Sequence, residues 1–388
     1  MSLNFDLPEE ANMIRDTVRE FAEQVIRPKA KELDDAEEFS PEITRQLGEL
    51  GLFGFCIPEE YGGNGFGYIP YIIAVEELAR VDGSQAATVA AHNSLGIGPI
   101  YIFGNEDQKR KYLPQLTTGE KVWAFGLTEP NAGSDAGGTK TVAKKEKDGW
   151  RINGSKIFIT NGSGEASLGV TVQAVTGTRP DGKKEYTCFL VEQGTPGFTA
   201  KTMHEKMMWR SSITSELFFE DCLVPEESML GKKGEGFRQM LDTLDRGRLS
   251  IAAMGLGCAQ GAYELALKYA KERKQFGRAI STFQANAFKL ADMATEIEAA
   301  RYLLYRAAWL CDQKREEYKK LASMAKLYCS EVAHRCVNQA LQIHGGYGLM
   351  KEYDIERFYR DQRLLEIGEG TSEILRLVIS RRIGCYDV

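Results

Sequence analysis

The sequence predicts an α+β protein with its two structure types segregated along the chain. Helices come first, then a compact antiparallel β unit, then a helical bundle. Breaker placement and two periods predict it. All 11 prolines lie at or before Pro225, and neither Pro nor Gly occurs from Arg278 to His344. These two residues interrupt helices most strongly, so that stretch reads as two or more long helices. Within it Phe283, Leu290, Ala294, Ile297, Leu304, Ala308 and Cys311 recur at spacings of three, four and seven, an apolar stripe on one helix. In the middle the period becomes two: "SLGVTVQAV" alternates Leu168, Val170, Val172 and Ala174 with smaller or polar residues. Alternating strands and helices would have predicted a doubly wound parallel sheet; this order argues against one.

Taken in order, "DLPEEANMIRDTVREFAEQVIRP" has Pro8 near a helix start, a stripe at Ile14, Val18, Phe21 and Val25, and Pro28 as a stop. "SPEITRQLGELG" places Ser40 as N-cap, Pro41 at the first helical position and Gly51 after the last turn. "GWRINGSKIFIT", "YTCFLVEQ" and "SELFFEDCLV" add strands, with Asp148-Gly149, Asn153-Gly154 and Asp181-Gly182 as turn pairs. "GLGCAQG" (Gly255–Gly261) lies inside a segment of helical composition. It lacks the preceding strand of a dinucleotide-binding fingerprint, and reads as close helix–helix contact through small residues. "GKKGEG" at Gly231 lacks the ending of a phosphate loop.

Composition narrows the class. A chain of 388 residues suggests two or three domains. The net charge of −6 argues against nucleic acid as a main partner. "IPYIIAV" around Tyr71 is too short to span a bilayer. The start "MSLNFDLPEE" has neither the basic nor the apolar region of a signal peptide, and a cytoplasmic location is expected. The 8 cysteines include no CxxC and the 4 histidines no ligand spacing, so no metal site is expected.

"IGEGTSEI" (Ile367–Ile374) holds Glu369 between two glycines late in a helical region. Glycine serves where backbone bends sharply or must come close to something. A loop with a solvated Glu and a turn presenting a carboxylate for chemistry both fit this octamer.

"WAFGLTEPNAGSD" (Trp123–Asp135), with Thr128, Glu129, Pro130, Gly133, Ser134 and Asp135 in order, resembles the acyl-CoA dehydrogenase family. "KIFITNG" (Lys156–Gly162), "ERKQFGR" (Glu272–Arg278), "QIHGGYG" (Gln342–Gly348) and "EGTSEI" (Glu369–Ile374) match it in the same order, so the likeness spans nearly the whole chain. The resemblance implies an N-terminal all-α domain (1–119), a middle antiparallel β-barrel or sandwich domain (120–231) and a C-terminal four-helix bundle (232–388). It also implies a homotetramer or dimer with one FAD per subunit between the β domain and the bundle. By that resemblance Phe125, Leu127 and Thr128 hold the pyrimidine side of the flavin, and Gly133 and Ser134 lie near the pyrophosphate and pantetheine. Phe158, Ile159 and Thr160 stack on the isoalloxazine; the family usually has Trp where Phe158 stands. Arg273, Gln275, Phe276, Gln284, Gln342 and Gly346 complete the ADP half, partly from a neighbouring subunit, and Thr371 and Glu373 join the cofactor set.

The implied reaction is α,β-dehydrogenation of an acyl-CoA thioester to the trans-2-enoyl-CoA. Glu369 is the α-proton base, the β-hydride goes to flavin N5, and electron-transferring flavoprotein is the acceptor. The family's second base position falls on Gly247, which cannot serve. Asp245 and Arg248 resemble residues that anchor the base turn and the CoA side. Gly368 stands where straight-chain members carry Tyr and, with Gly370, flanks the base. "GSQAATVAAHNSLG" (Gly83–Gly96) resembles the helix lining the acyl tunnel and is nearly all small residues, fitting either a wide pocket or tight packing. Ala86 stands where glutaryl-CoA members keep an Arg, which disfavours a dicarboxylyl substrate. A short branched, cyclic or aryl-bearing acyl group is the expectation. Enoyl-CoA reduction fed by electron-transferring flavoprotein and a non-catalytic acyl-CoA-binding scaffold are the alternatives.

Overall fold

A computed structural model of the chain describes residues 6–386. The part of the N-terminal reading that falls on residues 1–5 lies outside them. The N-terminal region is helical: α1 (Glu9–Phe21), α2 (Arg27–Ala36), α3 (Pro41–Glu49), α4 (Tyr68–Ala79), α5 (Gly83–Ala91), α6 (Gly98–Phe103) and α7 (Glu106–Leu116). Ser40 caps α3 as expected, its Oγ accepting from the Ile43 N–H at 3.2 Å. Pro28 does not stop the first helix. The chain passes through a π-helical turn at Ala22–Ile26 and resumes as α2 with Pro28 in its opening turn, where a missing N–H is tolerated. The apolar run around Tyr71 is the centre of α4, buried on nearly every side. Among the described residues no helix is long and apolar enough to cross a membrane.

The middle region holds β1 (Val122–Gly126), β2 (Val142–Glu146), β3 (Gly149–Thr160), β4 (Ser167–Thr178), β5 (Lys184–Glu192), β6 (Phe198–Thr202), β7 (Thr214–Val224) and β8 (Met229–Leu230). They form one 8-stranded sheet in the order β6-β7-β3-β2-β4-β5-β8, with β1 paired to β4. The sheet is not wholly antiparallel. β1 runs parallel to β4, and β2 touches β4 in parallel, because the long loop after β1 carries the chain over before β2 begins. Asn153-Gly154 is likewise no turn. It lies inside β3, where the register against β7 slips at a bulge, and Gly154 at φ +149° leaves room for Thr141, whose Oγ1 would stand 2.4 Å from an added Cβ.

The C-terminal region is built on α8 (Gly236–Glu272), α9 (Gln284–Asp312), α10 (Tyr318–His344), α11 (Ile355–Asp361) and α12 (Ser372–Arg382), with a short hairpin, β9 (Lys274–Gln275) and β10 (Arg278–Ala279), between α8 and α9. The glycines of "GLGCAQG" sit mid-α8. A Cβ would lie 2.9 Å from the Cys329 carbonyl at Gly255, 2.1 Å from the Glu76 carbonyl at Gly257 and 2.2 Å from the Arg80 carbonyl at Gly261. They are contact points for α10 and α4. One hydrophobic core accordingly joins the N-terminal helices to the C-terminal bundle, while the sheet keeps its own.

Candidate active site

Glu369 and Gly370 are consecutive residues with positive φ, at +52° and +102°. A glutamate in that region is uncommon and costs on the order of 1–3 kcal/mol, and such strain persists where surrounding structure enforces it. The turn ends at Thr371, whose Oγ1 accepts from the Ile374 N–H at 3.3 Å and caps α12. Glu369 is half-buried as a residue, yet its Oε2 is sealed from solvent and has no hydrogen-bond partner. Opposite it on α8 is Gly247, where an added Cβ would stand 2.1 Å from that oxygen. Any side chain at 247 would therefore evict the carboxylate. Burial pushes the Glu369 carboxyl up to about 7, against the partial pull of the Lys326 ammonium and the Arg248 guanidinium.

Asp245 and Arg248, expected near this turn, lie one helical turn apart on α8, both buried and paired to each other. Arg382 of α12 also donates to Asp245, at 3.1 Å, and Arg248 donates to Ser323 Oγ at 3.2 Å. The cluster ties α8, α10 and α12 together close to Glu369, which feels the Arg248 charge.

The residues expected on the flavin side fall on two segments that the fold locks edge to edge. Ile157 N–H donates to the Thr128 carbonyl at 3.0 Å. Lys156, fully buried, donates to the Leu127 carbonyl at 3.1 Å and pairs with Glu129 at 2.8 Å. Glu129 also accepts from the Lys140 and Thr141 N–H groups, at 2.7 and 3.1 Å, so it pins the whole loop after β1. Gly133 and Ser134 are exposed in that loop. Phe125, Thr128 and Thr160 are half-buried and Leu127 is buried. Phe158 is 63% exposed at φ +61°, at a register slip in β3. The same slip sends Ile159 inward, where its side chain belongs to the β core. Phe158 thus turns its ring outward, while the Ile159 side chain packs into the β core and leaves its backbone on the same segment. Asn161, at φ +62°, donates to the Thr88 carbonyl at 3.1 Å and fastens the segment to α5.

The remaining residues expected at the cofactor lie elsewhere. Arg273, Gln275 and Gly346 line a cavity of about 500 Å³ with Tyr269 and Tyr347. Gln284 and Gln342 are exposed, and Phe276 projects from the hairpin tip, 95% exposed at φ +52°. Arg273 caps the C-terminus of α8. At about 1.5 Å per residue it stands roughly 39 Å along the helix from Gly247. Glu373 is exposed in the first turn of α12, shortly after the Glu369 turn.

Three family models match in series: acyl-CoA dehydrogenase N-terminal domain over residues 8–120, middle domain over 124–222 and C-terminal domain over 234–384. The chain belongs to the acyl-CoA dehydrogenase family. It is 51% identical to a probable acyl-CoA dehydrogenase, YngJ, of Bacillus subtilis over 98% of this chain and 100% of that one. It is 44% identical to the caffeyl-CoA reductase-Etf complex subunit CarC of Acetobacterium woodii, over 96% and 97%. Butyryl-CoA dehydrogenase of Megasphaera elsdenii superposes with a TM-score of 0.94 at 42% identity, over 98% and 100% of the two chains. The acyl-CoA dehydrogenase of Bacillus anthracis complexed with FAD does so at 0.90 and 36%, over 97% of this chain and 67% of that one. The protein is thus an oxidoreductase of the acyl-CoA dehydrogenase family, with that family's three-part architecture.

Sequence reasoning passed over Lys326, Lys156 and the Gly247–Glu369 contact. Lys156 carried a signal, a cation directly before the apolar run Ile157–Ile159 in a strand. Lys326 carried none, since mid-helix lysines are ordinarily solvated.

Proposed function

We propose that this member of the acyl-CoA dehydrogenase family removes the α-proton of an acyl-CoA thioester with Glu369 while the β-hydride passes to FAD. The observation that carries the reading is a sealed, unpartnered Glu369 Oε2 on a strained turn, facing a glycine. A carboxyl held near 7 by burial is matched to proton abstraction at neutral pH. Glycine on either side lets the turn approach the ligand closely, so the Glu369 N–H can donate to the thioester oxygen as negative charge develops there. The cofactor is FAD, which supplies the hydride acceptor. The outturned Phe158 ring, the exposed Gly133 and Ser134 loop and the Leu127 and Thr128 backbone fit the isoalloxazine half. Arg273, Gln275, Phe276, Gln284, Gln342 and Gly346 fit the ADP half, with Arg273 a fork of donors for diphosphate. Their distance from the base supports a homo-oligomer, a tetramer in our reading, in which this hairpin serves a neighbour's cofactor. Thr371 and Glu373, at the start of α12, lie on the base side of the cofactor.

The substrate we assign is a short branched, cyclic or aryl-bearing acyl group. A Cβ at Gly368 would meet only Leu364, at 3.6 Å, so the glycine leaves free width beside the base. Ala86 offers no cation for a distal carboxylate. The small residues of Gly83–Gly96 give less support, because a Cβ at Gly83 or Gly96 would collide with Trp209 or Trp123; there, small size serves packing. We take electron-transferring flavoprotein as the electron partner and the cytoplasm as the location. The opposite direction, enoyl-CoA reduction, is favoured by one observation, the kinship with a caffeyl-CoA reductase subunit.

The test is an anaerobic titration of the yellow protein with a panel of acyl-CoAs. The flavin spectrum is expected to bleach, fastest with isobutyryl-, 2-methylbutyryl- or cyclohexanecarbonyl-CoA. A kcat/KM for butyryl-CoA well above all three would overturn the substrate assignment. Bleaching by no acyl-CoA, with reoxidation of dithionite-reduced enzyme by an aryl enoyl-CoA, would establish the reductase direction. A protein that binds acyl-CoA but no FAD would leave only a scaffold.

A further inference from the structure

The base turn has a partner on α10 that the family resemblance did not point to. Lys326 has no exposed surface, and its Nζ donates to the Gly370 carbonyl at 2.6 Å. Among the described residues Lys326 forms no ion pair, although a buried ammonium ordinarily requires a carboxylate. Its compensation is this one carbonyl together with the field of nearby acids, Glu369 foremost, then Glu366 and Glu373. The carbonyl it holds belongs to the second of the two left-handed residues, so releasing it frees the turn to relax from φ +52° and +102°. Apolar packing could fill the same space on α10 without a charge. An ammonium there is costly unless the turn needs holding.

We infer that Lys326 is a positioning residue for the reaction: it latches the Gly370 carbonyl and so fixes the turn that aims the Glu369 carboxylate and N–H. The inference rests on the proposed role of Glu369. Two consequences separate. The latch sets geometry, and misplacement of a reacting group by about 1 Å can cost roughly a hundredfold in rate. The charge favours the ionised base. The other groups facing Glu369 are Arg248 on α8, also cationic, and Tyr71 on α4, which remains neutral.

The experiment compares wild type, Lys326→Met and Lys326→Gln, all loaded with FAD, by anaerobic flavin reduction across neutral pH. For Lys326→Met the limiting rate is expected to fall roughly tenfold to a hundredfold, with KM little changed, and the acid limb of kcat/KM to move to higher pH. Lys326→Gln keeps an N–H donor without the charge, so it is expected to recover part of the limiting rate while keeping the shifted limb. If the Met variant does not load FAD, the Gln variant decides alone by its limb. An unmoved limb and wild-type limiting rate in a loaded variant overturn the inference while leaving Glu369 as base. A limb that survives Glu369→Gln removes the base assignment itself, and this inference with it.

Discussion

Two ends of α8 make an instructive contrast. Near Gly247 everything turns inward: Glu369, Arg248, Asp245 and Lys326 are packed and mutually oriented within one chain. At the far end everything turns outward: Arg273, Gln275 and Phe276 stand exposed on a hairpin beside an open cavity. Proton abstraction demands groups fixed before the substrate arrives, which one folded core supplies. Gripping the far half of a long cofactor demands only reach and charge, and reach can come from a second copy.

The contrast can be broken most severely at Glu369, the proposed base. Glu369→Gln is expected to slow flavin reduction by about 10²–10⁴-fold while FAD and acyl-CoA binding persist; equilibrium ligand titration alongside stopped-flow reduction checks both halves. Next comes the buried pair that pins the flavin loop. Lys156→Met leaves the buried Glu129 carboxylate without its cation, held only by two backbone N–H groups, and is expected to cost about 3–5 kcal/mol, read as a lowered denaturation midpoint with early loss of flavin. Gly247→Ala puts a methyl where the carboxylate oxygen sits, and roughly a hundredfold loss in kcat is expected with stability nearly unchanged. Arg273→Ala acts at the outward end. FAD is expected to bind about tenfold or more weakly, since a hydrogen bond to a charged group is worth about 1.5–3 kcal/mol, and the loss should deepen on dilution if the cofactor is shared between copies. If Arg273→Ala instead changed the reduction rate and left affinity alone, the division between the two ends would fail.

Much of this was legible in the sequence because it rests on local rules. The Pro- and Gly-free run after Arg278 became α9 and α10, and the Ser40-Pro41 cap began α3 where expected. The Glu369 turn carried its own signal in flanking glycines. What was not legible depends on tertiary surroundings. Pro28 breaks a helix on local grounds, but a π-helical turn carried the chain past it. Asn153-Gly154 is a turn pair by composition and a bulge in fact, where Thr141, just before β2, occupies the space a side chain would need. Ile159 follows the strand alternation only if no residue is inserted, and the slip at Phe158 reversed it. Lys326 looked like any helical lysine until α10 and the base turn were brought together.

The central claim is that Glu369, held near 7 by burial, is the proton-abstracting base. A carboxyl whose folded value is raised stays protonated, and idle, at pH values where an ordinary glutamate would already be ionised. The most direct measurement is therefore the pH dependence of kcat/KM for anaerobic flavin reduction by the best acyl-CoA. The account predicts an acid limb with a midpoint near 7 that disappears with the activity in Glu369→Gln. A profile flat from acid to neutral pH, or a Glu369→Gln enzyme that still bleaches with the same limb, would contradict it.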